Sequence, residues 1–249
     1  MAILVKTAAE LEIMRHSGKI LQAAQTAMKK ALVPGISLKE INTIAEDVIR
    51  TAGGKPGFLG FHGFPATICG MINSEVVHGI PDDRKLKKGD LVSVDCGVIW
   101  KNLFSDAAFS VIIGGEETHP ERAKFSKTVR SALLSGCDAA RAGNHIGDIG
   151  HAIETVVRRG GYSICKEYTG HGLGYEMHEE PYIFNYGRPG HGAKLRAGMT
   201  IAIEPIIAAG RPTCKILKDG WTVVTADGHD SCQWEHCGVV TETGLEIFA

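Results

Sequence analysis

The chain has 249 residues, of which 44% are hydrophobic and 22% charged, so it is long enough for one large domain or two small ones with a sizeable core. Its formal net charge of −1 gives no reason to expect a nucleic acid or an anionic membrane as a partner. No segment is apolar enough to span a bilayer.

Helix-start signals are well marked along the chain. Three capping boxes, in which Ser or Thr is followed three residues later by Glu, begin at Thr7, Ser37 and Thr118. With the apolar periodicity, they predict helices over about 8–31, 38–52, 120–141 and 146–159. Apolar or alternating runs predict strands over about 66–72, 90–99, 103–113, 163–168, 199–208, 221–226, 232–240 and 244–248.

The two halves of the chain resemble each other. Residues 34–54 align with residues 142–161 at an offset of 108, although two amphipathic helices can also match by chance. In both halves a long helix, a glycine-containing turn and a second helix precede strands. We therefore expect one pseudo-symmetric α+β domain over residues 1–249, with repeats over about 8–115 and 120–249.

The cysteines and the amino terminus bear on the cellular compartment. The seven cysteines form no paired CxxC spacing, which argues against a disulfide framework and gives little support to a zinc finger. The first apolar run has four residues and is quickly followed by charge, which is too short for a signal peptide. We expect reduced thiols in a cytoplasmic protein.

Two acidic residues lie within an apolar β-hairpin. Asp95 occurs in LVSVDCGVI and Asp106 in LFSDAAFSVII. If the turn is centred on Trp100 and Lys101, the two carboxylates oppose each other directly on one face. Opposed like charges repel, and an isolated buried carboxylate is costly. A basic partner, a shared proton or a cation would each relieve this cost.

Two further acidic residues recur downstream in the same way. Glu204 interrupts MTIAIEPII and Glu235 interrupts SCQWEHCGVV, without a comparable set of strand Arg or Lys residues. A single strand carboxylate is more often a sheet-edge or salt-bridged residue, but four in separate strands favour a shared metal site. Oxygen ligands with one imidazole suit Mn, Fe, Co or Zn, and two bridging carboxylates can hold two ions ~3.5–4 Å apart.

Three of the eleven histidines stand out as candidates for the site. His171 follows the strand over 163–168 and lies between two glycines, which let the backbone approach a site closely. His178 lies seven residues further on, and His78 precedes a Gly-Ile-Pro turn. For any single histidine, a surface or satisfied core role is the default.

Together these residues make the sequence recognisable. The run YTGHGLGYEMHEEPYIFNY, with HGIPDD, KKGDLVSVD, AGMTIAIEP, KDGWTVVTADG and QWEH in order and spacing, resembles the type I methionine aminopeptidases. The resemblance covers essentially the whole chain. It implies the pita-bread fold, an α+β fold with pseudo-twofold symmetry in which two pairs of helices cover an antiparallel sheet.

The resemblance also implies the ligands of a dinuclear metal site. Asp106 and Glu235 would bridge two divalent ions. Asp95 would hold one ion, and His171 with Glu204 would hold the other. The two divalent ions implied are Co, Mn, Fe or Zn. The resemblance is also compatible with an additional structural monovalent cation.

The activity implied is removal of the initiator methionine from nascent proteins and peptides with a small second residue. A hydroxide that bridges the two ions would be the nucleophile. Glu204 would pass the proton of the water to the leaving amine, His178 would donate to the oxyanion, and His78 would contact the scissile amide. The partners would be nascent amino termini at the ribosome, with no specific nucleic acid and no membrane, and the enzyme would be monomeric.

The implied methionine pocket departs from the family pattern. Its lining would be Phe58, Phe61, Phe64, Cys69, His78, Met177, His178 and Trp221. Relatives often have a cysteine at the first of these positions, tyrosines at the next two and a phenylalanine in place of Met177. The pocket stays apolar, so a thioether substrate still fits, although Phe58 is equally plausible as a core residue.

The second aspartate motif departs from the family pattern as well. Asn102 stands where relatives commonly have a turn glycine, and asparagine tolerates positive φ. Ala107 lacks the threonine hydroxyl that usually follows the bridging aspartate. We expect this change to weaken metal affinity.

Two other functions stay open at this point. A pita-bread peptidase that cleaves before proline would share the five ligands. Such enzymes usually carry a large additional amino-terminal domain, and none precedes the first helix here. A non-catalytic binding module of the same fold would tend to lose ligands, whereas all five positions are present.

Overall fold

Two pairs of α-helices pack on the strands of the computed structural model, which describes residues 3–249. In chain order the helices are α1 (Ala8–Ala31), α2 (Leu38–Thr51), α3 (Pro120–Ala139) and α4 (Ile146–Arg159). α1 packs against α2, and α3 packs against α4. α2 and α4 begin and end 108 residues apart, which is the offset of the sequence repeat.

The helix starts confirm two of the three predicted capping boxes. At Thr7 and Ser37 the hydroxyl accepts a hydrogen bond from the backbone three residues on, and the glutamate there accepts from the cap. The box predicted at Thr118 is wrong, because His119 is the cap of α3. Pro120 takes the first helical position, where its missing N–H costs nothing, and this moves the cap to the preceding residue.

The described residues form fifteen β-strands, most of them short. In chain order they are β1 (Lys55–Pro56), β2 (Ile68–Ile72), β3 (Glu75–Val77), β4 (Leu91–Trp100), β5 (Leu103–Ile112), β6 (Ser163–Ile164), β7 (Gly170–Gly172), β8 (Glu179–Ile183), β9 (Thr200–Ile203), β10 (Ile206–Ala208), β11 (Cys214–Ile216), β12 (Val223–Thr225), β13 (Ser231–Gln233), β14 (His236–Val240) and β15 (Leu245–Ile247). The strand expected over 163–168 is therefore only two residues long.

The strands form four small sheets. One has the order β1-β4-β2 with β5 on β4, and the largest has the order β15-β14-β9-β7-β8. The two others are β13-β10-β6 and β11-β12-β3. Every pairing between these strands is antiparallel, in agreement with the expected α+β class.

Two stretches expected as single strands are broken at acidic residues. Glu204 and Pro205 separate β9 from β10, and Trp234 and Glu235 separate β13 from β14. Proline has no N–H to donate to a neighbouring strand, so the ladder stops at Glu204. The two glutamates therefore project from strand ends, whereas Asp95 and Asp106 lie inside continuous strands.

The β4–β5 hairpin corrects the expected position of the turn. Trp100 pairs with Leu103, so the turn consists of Lys101 and Asn102, with φ of 46° and 64°. Two positive φ values are typical of a type I′ turn, whose twist suits a two-residue hairpin. In this register Asp95 pairs with Ala108, and Asp106 pairs with Gly97. The two aspartates share one face but are diagonal neighbours instead of directly opposed residues.

Each helix pair buries its own apolar cluster. The first cluster joins α1 and α2 to β4 and β5 and includes Met14, Ile41 and Phe109. The second joins α3 and α4 to the largest sheet and includes Leu133 and Ile153. None of the helices within residues 3–249 has both the length and the apolarity to cross a membrane.

Candidate metal centre

The five residues predicted as ligands converge between the two helix-covered halves. One potential ligand atom each from Asp106, His171 and Glu235 lies within 4.8 Å of the other two. Nε2 of His171 is 3.5 Å from Oε1 of Glu204 and 4.0 Å from Oδ2 of Asp106. Asp95 joins the group through the same strand face as Asp106.

Local backbone structure explains how the ligands meet. His171 on β7 pairs with Ala202 on β9, and Glu204 follows two residues later. The backbone N–H of Glu235 donates to the carbonyl oxygen of Ala108 at 3.0 Å, which holds the strand break beside β5. The hairpin therefore supplies the aspartates, and the largest sheet supplies the histidine and Glu204.

The imidazole of His171 is oriented toward the carboxylates. Nδ1 lies 2.9 Å from the carbonyl oxygen of Gly172, so Nδ1 carries the proton and donates it. The lone pair of Nε2 then faces the acidic side chains. A hydrogen bond from the other ring nitrogen to a backbone carbonyl oxygen, as at Nδ1 here, is usual for a metal-bound histidine. Burial, followed by the neighbouring His178, lowers the pKa of His171 to about 3.

The four carboxyl groups are strongly destabilised in their charged forms. Burial raises the pKa of Asp95 to about 6. Burial and then the charge of Asp95 raise the pKa values of Asp106 and Glu204, and burial and then Asp106 raise that of Glu235. Within residues 3–249 no lysine or arginine forms a salt bridge with any of the four. A basic partner, one of the three ways to relieve the repulsion, is therefore missing from this part of the chain.

Several buried carboxylate oxygens accept no hydrogen bond from the described residues. They are Oδ1 of Asp95, Oδ1 of Asp106 and both side-chain oxygens of Glu235. Buried polar atoms in native proteins normally have a partner, so such a group requires one. Hard carboxylate oxygens with a single imidazole nitrogen are the donors that divalent cations accept. The residues present therefore fit divalent metal ions.

Gln233 is a member of the site that the sequence analysis did not single out. Its Nε2 donates to Oδ2 of Asp95 at 3.3 Å and to Oε2 of Glu204 at 3.4 Å, and its side chain is buried. It thus joins a carboxylate of the hairpin to a carboxylate of the largest sheet. The QWEH motif contains it, but only the folded chain brings it to both carboxylates.

An apolar cavity of about 370 Å³ opens beside the carboxylates. The predicted pocket residues all line it: Phe58, Phe61, Phe64, Cys69, His78, Met177, His178 and Trp221. Phe58 and Met177 both pack on Gly97, where an added Cβ would lie 2.9 Å from a carbon atom of each. His62 and Tyr168, which the sequence analysis passed over, also line the cavity.

Two of the cavity histidines are held as neutral imidazoles. His78 has a left-handed backbone with φ of 57°, which is rare outside glycine and typical of functional sites. Burial lowers the pKa of His78, and burial followed by His78 and His62 lowers the pKa of His178. The ring of His178 lies 4.4 Å from that of His171.

A buried ion pair fixes the loop that carries Met177 and His178. Nζ of Lys6 lies 2.6 Å from Oε2 of Glu179, with both side chains largely buried. Oε1 of Glu179 accepts a hydrogen bond from the backbone N–H of Tyr175 at 2.6 Å. The amino-terminal segment therefore helps to place two residues of the cavity wall.

The side chain of Ala107 does not face the proposed metal site. Successive strand residues point to opposite faces, and Ala107 belongs to the first apolar cluster. The backbone N–H of Asp106 lies 3.4 Å from Sγ of Cys237, which belongs to the same cluster as Ala107. The expected loss of metal affinity at this position stays a prediction.

The chain is similar to known metallopeptidases along nearly its whole length. The family model of metallopeptidase family M24 matches residues 12–242. The methionine aminopeptidase of Clostridium acetobutylicum is 42% identical over 246 residues, which cover 98% of each protein. Methionine aminopeptidase 1 of Bacillus subtilis is 41% identical over 245 residues, again 98% of each. The solved structure of methionine aminopeptidase from Thermotoga maritima matches with a TM-score of 0.96 at 38% identity, covering 99% of both chains.

Proposed function

Because the chain belongs to metallopeptidase family M24, we infer that it is a metal-dependent aminopeptidase that hydrolyses the amino-terminal methionine of peptides. The expected pita-bread fold is confirmed by the same comparisons. The observation that carries the function is the position of the buried carboxylates and of Nε2 of His171 at one side of an apolar cavity.

The proposed ligands are those expected from the sequence. Asp106 and Glu235 would be shared between two ions, with Asp95 on one and His171 with Glu204 on the other. The unpartnered buried oxygens of the two aspartates and of Glu235 support this assignment. Divalent ions such as Co, Mn, Fe or Zn would supply Lewis acidity and would lower the pKa of water at the site.

Glu204 is proposed to move the proton during hydrolysis. It lines the cavity, and one of its oxygens accepts from Gln233 while the other lies near His171. This leaves the carboxyl group fixed in orientation but open to the cavity. It can therefore hold a proton close to both the scissile bond and the leaving amine.

His78 and His178 are proposed to bind the scissile peptide group. Burial lowers the pKa of both groups and so favours the neutral imidazole, which donates through the N–H of one ring nitrogen and accepts at the other nitrogen. A donor in a water-poor cavity stabilises negative charge that develops on the carbonyl oxygen. We propose this role for His178 and a contact with the scissile amide for His78.

The apolar part of the cavity is proposed to bind the methionine side chain. Thioether sulfur makes favourable contacts with aromatic rings, and Phe58, Phe61, Phe64 and Trp221 provide such rings. The flexible Met177 provides a wall that can adjust. With Cys69 these residues select a long, unbranched apolar side chain.

The biological setting is also a proposal. The relatives are called methionine aminopeptidases, and the amino termini of newly made chains with a small second residue are the substrates that fit this activity. We propose that the enzyme acts on them as a cytoplasmic monomer near the ribosome. We further propose that residues 1–249 form one catalytic domain with repeats over about 8–115 and 120–249, which the matching bounds of α2 and α4 support.

Release of free methionine tests the proposal. Purified protein is incubated with Met-Ala-Ser, with a Met-Pro-x peptide and with an Ala-Pro-x peptide, each with and without added Mn or Co. We expect metal-dependent cleavage of Met-Ala-Ser. Cleavage of Ala-Pro-x alone would identify the proline-specific alternative, and no cleavage of any peptide by the metal-loaded protein would favour the binding module.

A further inference from the structure

A line of three aromatic side chains leaves the cavity along β8 and the residues that follow it. We call Tyr182, Phe184 and Tyr186 the aromatic strip. Tyr182 is 58% exposed and Phe184 is 40% exposed, whereas Ile183 and Asn185 between them are buried. Alternation with period two shows that the strip occupies the outward face of an extended segment.

This outward face is unusual for an edge strand. β8 lies at one end of the largest sheet, where outward positions are normally polar or charged. Here three aromatic rings stand side by side, with centroids 6.5 Å apart between Tyr182 and Phe184 and 5.6 Å apart between Phe184 and Tyr186. Tyr182 and Phe184 are the exposed part of the strip, and the half-buried Tyr186, which packs against the second apolar cluster, extends it. An exposed pair of aromatic rings that continues into such a groove marks a binding surface.

The strip is continuous with the cavity of the metal centre. Tyr182 lines that cavity together with Tyr168, and it also lines a separate surface groove with Phe184 and Tyr186. The groove is closed on its other side by residues at the start of α4, including Ile146 and Gly147. A chain that leaves the cavity at Tyr182 therefore enters the groove directly.

The spacing of the rings matches an extended peptide. Such a chain advances about 6.6 Å for every two residues, so alternate side chains on one face would each meet one ring. The apolar end of the cavity would hold the first residue. The residues after the small second position are the ones that reach the strip.

We propose that the aromatic strip binds the downstream residues of an extended peptide substrate and favours apolar or aromatic side chains after the second residue. This inference rests on the proposed aminopeptidase function and adds a second determinant of substrate choice to it. The strip thereby selects substrates by sequence beyond the residues at the scissile bond.

The test compares three peptides: Met-Ala-Ser, Met-Ala-Ser-Phe-Leu-Phe-Lys and Met-Ala-Ser-Gly-Ser-Gly-Lys. The readout is the ratio of kcat/KM for the aromatic heptapeptide to kcat/KM for the glycine heptapeptide. We expect a ratio of about five to ten, since each aromatic contact adds a modest free energy beyond burial. Phe184→Ser should lower the ratio at least threefold, and Phe184→Tyr should preserve it.

Leu134→Ser is the matched control. Leu134 is a 41% exposed apolar side chain on α3 that lines neither the cavity nor the groove, so this variant should keep the full ratio. Thermal unfolding checks each variant for folding. If Phe184→Ser does not fold, Tyr182→Ser takes its place, because its side chain is even more exposed.

The outcomes separate this inference from the proposed function. Failure of the metal-loaded wild type to cleave Met-Ala-Ser would overturn the proposed function. Cleavage of Met-Ala-Ser with a heptapeptide ratio near one, or a ratio unchanged by Phe184→Ser, would overturn the strip alone. A dimer that Phe184→Ser dissociates in size-exclusion chromatography would also overturn it, by assigning the strip to self-association.

Discussion

Asp106 is a proposed metal ligand that lies in the middle of a continuous strand. Asp106→Asn keeps the shape but removes the charge, so we expect kcat/KM for Met-Ala-Ser to fall more than about 100-fold, because losing a group that only supports a ligand already costs about 10- to 100-fold. Metal content measured after dialysis should fall with it. Asp83→Asn, at an exposed aspartate paired with Lys39, is the control. Unchanged rate and metal content in Asp106→Asn would refute the proposed ligand.

Gln233 is expected to change metal affinity through the two carboxylates to which it donates. Gln233→Met keeps the side-chain length but removes the amide that holds Asp95 and Glu204. We expect metal affinity to weaken about 10- to 100-fold, as for other groups that orient metal ligands. Calorimetric titration with Mn measures this, with Gln22→Met as the control. Equal Mn affinities of wild type and Gln233→Met would show that the hydrogen bonds from Gln233 are not needed to orient Asp95 and Glu204.

Gly97 lies against Phe58 and Met177, two residues of the proposed methionine pocket. In Gly97→Ala the new methyl group would push against Met177 and Phe58, which lie at 2.9 Å from its position. We expect KM for Met-Ala-Ser to rise about tenfold, equivalent to about 1.4 kcal/mol, while metal content is unchanged. Adding Met177→Ala to the same chain should recover part of the loss. A metal-depleted Gly97→Ala protein would contradict this assignment.

At the level of single elements, the turn of the β4–β5 hairpin controls stability. Asn102 has φ of 64°, a region that costs most side chains about 1–2 kcal/mol. Asn102→Ala should therefore lower the free energy of unfolding by about 1 kcal/mol in urea titration. Asn102→Gly, which adopts positive φ freely, should stay close to wild type. Equal loss in both variants would indicate that the asparagine side chain itself is required.

Elements with strong periodicity or caps were predictable from the sequence, and short ones were not. All four helices lie where expected because their apolar faces and starts are explicit. β7 and β8 were missed because glycine and glutamate give no strand pattern, and tertiary contacts create these strands. Glu204 and Glu235 were recognised as interruptions of strands, but whether they kink or end a strand is decided by Pro205 and by packing beside β5.

The candidate site was predictable where the sequence places an acidic residue within an apolar run. Aspartate inside apolar runs indicates a site at once, so the carboxylates were found from the sequence. Gln233 and Tyr182 were not found, because a buried amide or an exposed tyrosine is unremarkable until its neighbours are known. The turn centre was wrong by one residue, which shifts the pairing of Asp95 by two positions, since turn type depends on which residues accept positive φ.

For the whole molecule, stability should depend on metal and on pH. Burial raises the pKa values of the four carboxyl groups above those of the unfolded chain, so the metal-free folded state binds more protons than the unfolded state. The stability that these four groups contribute is therefore greatest below the unfolded values, about 4, and is lost as pH rises through the folded values. Buried histidines such as His171 and His178 act in the opposite direction between pH 6 and pH 8, because their pKa values are lowered. We expect added Mn to raise the melting temperature of chelated protein more at pH 8, where the carboxyl groups are less protonated, than at pH 6.

The control for this prediction removes one of the charges. Chelated Asp106→Asn should melt at a higher temperature than chelated wild type at pH 8, and the difference should shrink toward pH 5. The opposite order, or a melting temperature that does not respond to Mn, would mean that the carboxylates are neutralised within the protein itself.

The proposed ligands are divided between the two halves of the chain, with Asp95 and Asp106 before α3 and His171, Glu204 and Glu235 after it. Both apolar clusters also contain residues from the two halves, and neither half holds a full set of the proposed ligands. Binding of the ions should therefore depend on folding of the whole chain, because only a chain in which both halves are folded together has all five proposed ligands in place. We therefore expect a newly synthesised copy to bind the ions and to become active only after its last strands are in place.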